Sequence, residues 1–203
     1  GIGNYITVAK CVSEAEKILG LKKVKNNSFV HAHGTGTPAN RTTESHILNE
    51  IASTFGIKSW PVTGIKSYLG HSMAPASGDQ LVTALGTWNK GVIPGIHSTE
   101  AIADDVFNEN LDILLENKVE EKNYYSAAFL NAKGFGGNNA HLVIDGWKES
   151  DFVPAEHSLS IRAEVNSEIA VVAVEAIVGG CEDLGQVRRA VELGDWQALQ
   201  API

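Results

Sequence analysis

The chain has 203 residues, 43% of them hydrophobic, which suits one domain, or one domain plus part of another. Its 24 acidic and 16 basic side chains give a formal net charge of -8, which argues against a nucleic-acid footprint and against attraction to an anionic membrane. Only two cysteines occur, Cys11 and Cys181, with no CxxC pair and no zinc-like spacing, so a reduced, cytoplasmic setting without a structural metal is expected.

The opening Gly-Ile-Gly-Asn-Tyr has no initiator methionine, basic n-region or apolar signal core, and reads as the start of a piece cut from something longer. Residues 5–19 carry Ile6, Val8, Ala9, Val12, Ala15 and Ile18 at mostly helical spacing, and Gly20 supplies a stop. Phe29, Val30 and Ala32 then read as the end of a buried strand, which Gly34, Gly36 and Pro38 prevent from continuing. His33 is left at the strand-to-loop corner. Residues 43–55 are helical in pattern and end at Gly56; residues 60–65 form a short β run. Residues 78–89 place Leu81, Val82, Leu85 and Trp88 at helical intervals with little charge, predicting a helix buried on most sides. The polar stretch 100–122 reads as loop with a short helix at most. Residues 124–131 and 139–144 read as strands joined by a glycine turn.

Three stretches carry candidate chemistry. The first is HGTGTP at residues 33–38; the second is GIKSYLGH at residues 64–71, with Lys66 and His71; the third is NAKGFGGNNAH at residues 131–141, with Phe135 among glycines. Singly, each has an ordinary structural reading: a capped histidine, a solvated lysine, a phenylalanine plugging a turn. In this order and spacing they are far more specific.

The three motifs together resemble the β-ketoacyl synthases of the thiolase superfamily, in the order found in the C-terminal half of the condensing domain. The resemblance covers residues 1 to about 147. It implies an α/β fold of the layered thiolase-like kind, C-terminal half only, with a five-stranded mixed sheet between helices and with His31, Lys66 and Phe135 at one rim. TPANRTTESHI and WPVTGIKSYLGHSMAPASGDQL resemble the bacterial branch that includes initiating condensing enzymes.

In that family a cysteine thiolate takes an acyl chain, malonyl-carrier protein loses carbon dioxide, and the resulting enolate attacks the acyl thioester. The resemblance assigns His33 and His71 to the thioester oxygen that gathers charge, Lys66 to the active-site lysine, and Glu44 to the acid that pairs with it. It assigns Thr35 and Thr37 to the phosphopantetheine arm, and Phe135 to the gating residue whose N–H faces the acyl carbonyl. The arm arrives on an acyl carrier protein, so no cofactor resident in the chain is implied. A fatty acid or polyketide pathway, a homodimer when complete, and a missing N-terminal half of the synthase follow from the same resemblance.

Departures matter as well. Cys11 lies only 22 residues before His33, in AKCVSEA, without the glycine- and alanine-rich elbow of a nucleophile; Cys181, in VGGCEDL, follows all three motifs. Both read as non-catalytic, so this chain alone is expected to lack the nucleophile. Arg41 stands where many relatives carry aspartate. The sequence divides into residues 1–149, the condensing half, and residues 150–203. In the latter, SEIAVVAVEAIVGG reads as a strand and EDLGQVRRAVELGDW as a helix, either an extension or the start of a second ketosynthase-like domain. A non-catalytic chain-length-factor-like subunit and an acyl-carrier-binding module are the alternative functions; joint retention of His33, Lys66 and His71 argues against the first.

Overall fold

The computed structural model describes residues 1–146 and 184–193. Helix α1 runs Ile2–Leu19 and buries Val8, Val12 and Ala15, which recur every three or four residues and so line one face. It ends at Gly20, whose φ of 86° reverses the chain into a short helix, α2, Leu21–Asn26. Strand β1, Ser28–His31, follows.

Helix α3 spans Pro38–Phe55, five residues longer at its start than the pattern of apolar positions implies. Pro38 occupies the first turn, where its missing N–H costs nothing, and the Thr37 hydroxyl accepts the Asn40 N–H at 3.4 Å. Strand β2 is Trp60–Thr63, helix α4 is Lys66–Leu69 and helix α5 is Ala76–Lys90. Strands β3 (Val92–Ile93), β4 (Leu111–Ile113), β5 (Lys118–Val119), β6 (Ala127–Lys133) and β7 (Asn139–Asp145) complete the run, with a 3-10 turn at Phe135–Gly137 between the last two.

Five strands form one sheet in the order β4-β2-β1-β6-β7. The first four are parallel and β7 is antiparallel to β6. Every residue of β1 and β2 is buried, as expected of central strands covered on both faces. Alternation divides the core. Val30 and Phe129 point toward α1 and α3, joining Val8, Val12, Ile47, Leu48 and Ile51. Phe29, Ala128 and Leu130 point the other way, against Ala84 and Trp88 of α5.

Two expectations need correction. Helix α5 is not buried on most sides: Ala76, Gln80, Ala84, Thr87 and Trp88 form a buried stripe, while Val82 is 43% exposed. A helix laid on one sheet face buries only the residues three or four apart that face it. Residues 100–122 contain two strands, β4 and β5, and no helix. Strand β4 leaves no signal in the sequence because three residues are too few to show a period; its place comes from parallel pairing with β2.

The register fixes the rim. His31 aligns with Thr63 of β2 and Leu130 of β6, so the segments carrying His33, Lys66 and Phe135 leave parallel strands at the same end of the sheet. This arrangement matches the expected convergence of the three motifs.

Two strand histidines give a prediction about acid stability. His31 is fully buried with neither ring nitrogen hydrogen-bonded, and burial pushes its pKa down to about 3. His141, stacked on Phe129, is pushed by burial to about 4. The unfolded chain binds these protons near pH 6.5, so the stability that neutral His31 and His141 lend is complete above that pH. It is lost as pH falls toward 4, at about 1.4 kcal/mol per pH unit for each ring. Chemical denaturation of the full-length protein between pH 4.5 and 6 should show this slope, reduced by one ring's share in His31→Leu.

A second compact unit covers residues 154–203. Within it helix α6, Leu184–Leu193, falls inside the stretch expected to be helical, with Arg188 donating to Glu192 at 2.8 Å. The expected strand at residues 167–180 lies outside the described residues.

Candidate active site

Past β1, Gly34 and Gly36 adopt φ of 53° and 70°, left-handed values that side chains disfavour, and turn the backbone out of the sheet. The turn leaves the His33 and Gly34 N–H groups without a strand partner. Glu44, one turn into the body of α3, receives both: His33 N–H at 2.7 Å and Gly34 N–H at 3.0 Å. The same carboxylate accepts from the side chains of Asn40, at 2.8 Å, and Asn131, at 2.5 Å. Glu44 is buried, which by itself would raise its pKa. Attraction to Lys133 and these N–H donors outweigh burial and hold it below the usual carboxylate range.

Lys66 approaches the same corner from the end of β2. Its ammonium donates to the His33 carbonyl at 2.5 Å rather than to a carboxylate. Among the described residues no ion pair joins Lys66 to Glu44, so the direct pair implied by the resemblance takes an indirect form. The peptide between His33 and Gly34 gives its N–H to Glu44 and its oxygen to Lys66, and is gripped from both sides. Burial lowers the Lys66 pKa, opposed by Glu44 and Asp79.

The two imidazoles meet edge to face with ring centres 5.6 Å apart. His33 Nδ1 accepts the Lys133 N–H at 3.3 Å, and His71 Nδ1 accepts the Met73 N–H at 3.0 Å. A neutral imidazole whose Nδ1 accepts must carry its proton on Nε2. Each ring therefore holds a free Nε2–H donor. Met73 has φ of 65°, and Ser72 donates to Asp79 at 2.5 Å, which ties the His71 loop to the start of α5. Burial and the Lys66 charge lower the His33 pKa, so this donor form persists below the usual histidine range.

A cleft of about 440 Å³ opens beside this corner, lined by Gly34, Thr35, Lys66 and His71 and by Ile96, Thr99, Ile102 and Val106 of the loop before β4. Arg41 has a place in that wall: it donates to Asp105 at 2.7 Å, which also accepts from Thr42, and Ser45 accepts the Phe107 N–H. Thr35 lines the cleft. Thr37 contacts the Thr35 hydroxyl at 3.3 Å and serves as the cap of α3. The Phe135 backbone opens the 3-10 turn two residues after Lys133, with Gly136 and Gly137 at φ of 78° and 82°.

Residues that the sequence motifs did not single out hold this corner in place. Gln80 donates to the Ala32 and Asn131 carbonyls at 2.9 and 3.1 Å, joining β1 to β6. Asn131 also accepts from Asn4 at 3.0 Å. Only the Asn40–Glu44 pair had a readable signal, its four-residue spacing on a helix. Among the described residues no group of three His, Cys, Asp or Glu side chains could hold a metal ion, and no helix is long and apolar enough to cross a membrane.

Cys11 packs on the core between α1 and β7, and burial pushes its thiol up to about 11. At pH 8 about one molecule in a thousand carries the thiolate there. Alkylation of the native full-length protein at pH 8, mapped by mass spectrometry, should leave Cys11 unmodified until denaturant is added. Cys181 lies outside the described residues.

Residues 5–100 match the family described as "Beta-ketoacyl synthase, C-terminal domain". The chain belongs to the β-ketoacyl synthases, with a thiolase-like fold, and carries the C-terminal part of their condensing domain. It is 54% identical over 144 residues to the beta-ketoacyl-[acyl-carrier-protein] synthase FabY of Pseudomonas aeruginosa, covering 71% of this chain and 23% of that protein. The crystal structure of the noncanonical ketosynthase FabY from P. aeruginosa superposes with a TM-score of 0.68 at 52% identity, over 70% of this chain and 22% of that one. A ketosynthase from module 1 of the bacillaene synthase of Bacillus amyloliquefaciens shares the fold at 18% identity and a TM-score of 0.63, over 72% of this chain and 28% of that one. The chain thus spans about a quarter of the length of these relatives.

Proposed function

We propose that these residues form the decarboxylating half of a β-ketoacyl synthase active site, acting on malonyl carried by an acyl carrier protein and on an acyl thioester. The observation that supports it is the pair of Nε2–H donors, each freed by a backbone N–H bonded to Nδ1 of the same ring. Breaking the bond between the malonyl α-carbon and its carboxylate releases carbon dioxide and leaves the electron pair as an enolate. The negative charge collects on the thioester oxygen. Two fixed donors aimed at that oxygen stabilise the transition state more than the ground state.

The enolate carbon then attacks the acyl thioester carbonyl, the tetrahedral intermediate collapses, and the cysteine thiolate leaves. No oxidant or reductant is needed. The nucleophile is assigned to the part of the condensing domain outside this chain, since the Cys11 thiol is half-buried and largely protonated. Thr35 and Thr37 hold the phosphopantetheine arm, and the Phe135 N–H faces the acyl carbonyl. Lys66 and Glu44 hold the His33 corner rather than reacting. A cytoplasmic homodimer in fatty acid or polyketide synthesis is the setting proposed.

The full-length protein, given an acyl thioester and malonyl-carrier protein, should release carbon dioxide and form β-ketoacyl-carrier protein in equal amounts. Carrier-protein binding without either product would favour a binding module instead.

A further inference from the structure

The buried carboxylate of Glu44 faces two ammonium groups, and the roles assigned from the motifs account for only one. The second belongs to Lys133, the last residue of β6 and half-buried. Its side chain donates to Asn40 Oδ1 at 2.9 Å. That bond leaves the Asn40 amide nitrogen to donate to Glu44 at 2.8 Å, so one asparagine passes the polarity of the ammonium to the carboxylate. The Lys133 backbone N–H is the donor on His33 Nδ1. One residue therefore touches both parts of the corner: the ring that is to carry the reacting proton donor, and the acid that fixes the peptide beneath it.

We propose that Lys133 is a positioning residue that acts on His33, a reading that rests on the proposed function. Its ammonium orients Glu44 through Asn40 and supplies a positive charge beside His33 that opposes protonation of that ring. Lys66 is then free to bond the His33 carbonyl instead of neutralising Glu44.

The charged and titratable groups facing His33 come from four elements: Glu44 on α3, Lys66 at the start of α4, His71 in the loop before α5, and Lys133 on β6. Lys66 and Lys133 oppose a charged ring and Glu44 favours it. Removing Lys133 leaves one ammonium against one carboxylate, so His33 gains a proton at higher pH.

The test uses the full-length protein and its Lys133→Met, Lys133→Gln and Lys133→Arg variants. Two readouts are taken: carbon dioxide release from malonyl-carrier protein against pH, and the His33 titration followed by NMR of 13C-labelled histidine, assigned with His33→Gln. In Lys133→Met and Lys133→Gln the His33 titration should move up by about 0.5 pH unit or more, and the acid limb of decarboxylation should move with it; Lys133→Arg should restore both. A residue that merely supports the fold would lower the rate at every pH without moving either curve. An unshifted His33 titration in the charge-removing variants that fold overturns the proposal. The NMR readout stands whether or not the protein decarboxylates malonyl thioesters, so failure of the functional reading appears separately, as wild-type protein that releases no carbon dioxide. Lys133→Gln keeps a donor for Asn40, and provides the answer should Lys133→Met not fold.

Discussion

Replacing His33 or His71 by alanine in the full-length protein should lower malonyl decarboxylation by about 10²–10³-fold while acyl transfer onto the nucleophilic thiol continues near the wild-type rate. The split follows from where charge develops. Decarboxylation places negative charge on the oxygen that the two Nε2–H groups are proposed to share, whereas acyl transfer develops its charge at a second carbonyl, the one proposed to face the Phe135 N–H. Loss of one donor leaves the other, so each single variant keeps residual rate and the double variant falls further. Radiolabelled carbon dioxide release and acyl-enzyme formation, measured on the same preparation, separate the two steps. Retained decarboxylation in both single variants would refute the assignment of these rings.

Glu44→Leu is the second large expected effect, and it concerns stability. The carboxylate accepts from the His33 and Gly34 N–H groups and from Asn40 and Asn131, all at 3.0 Å or less. Leucine accepts nothing. It strands donors in a buried corner and removes the counter-charge from half-buried Lys133, a combination that costs about 3–5 kcal/mol. Urea denaturation of the full-length protein should show a loss of that order. Glu44→Gln, which keeps an acceptor but gives up the charge, should lose less. Activity in Glu44→Gln should fall as well, because the His33–Gly34 peptide loses the partner that holds it opposite Lys66.

How far the site could be read from sequence depends on how its parts are distributed. HGTGTP, GIKSYLGH and NAKGFGGNN are each contiguous, because each is a strand end with the turn that follows it, and parallel register then brings such ends to one rim. Position along the chain therefore translated directly into position in space. The support beneath them is built differently. Asn4, Gln80 and Glu44 come from α1, α5 and α3, and converge on Asn131, the first residue of the third motif, only after the sheet has formed. Polar residues of that kind look like surface until the packing shows them buried.

Helix α5 departs from its sequence pattern for a related reason. Its apolar content suggested burial all round, yet the buried stripe includes the polar Gln80, whose amide bonds three carbonyls, while Val82 faces outward. The direct Lys66–Glu44 pair expected from the resemblance became a pair of grips on one peptide, a distinction that no spacing in the sequence encodes.

His33 and His71 are proposed to present their Nε2–H groups to a single oxygen. A crystal structure of the full-length protein with a non-decarboxylating malonyl thioester analogue tests it most directly. The thioester oxygen should lie between the rings, about 2.7–3.1 Å from both Nε2 atoms, with each Nδ1 still bonded to its backbone N–H. A thioester oxygen held by backbone N–H groups alone, with either ring turned away, would contradict it.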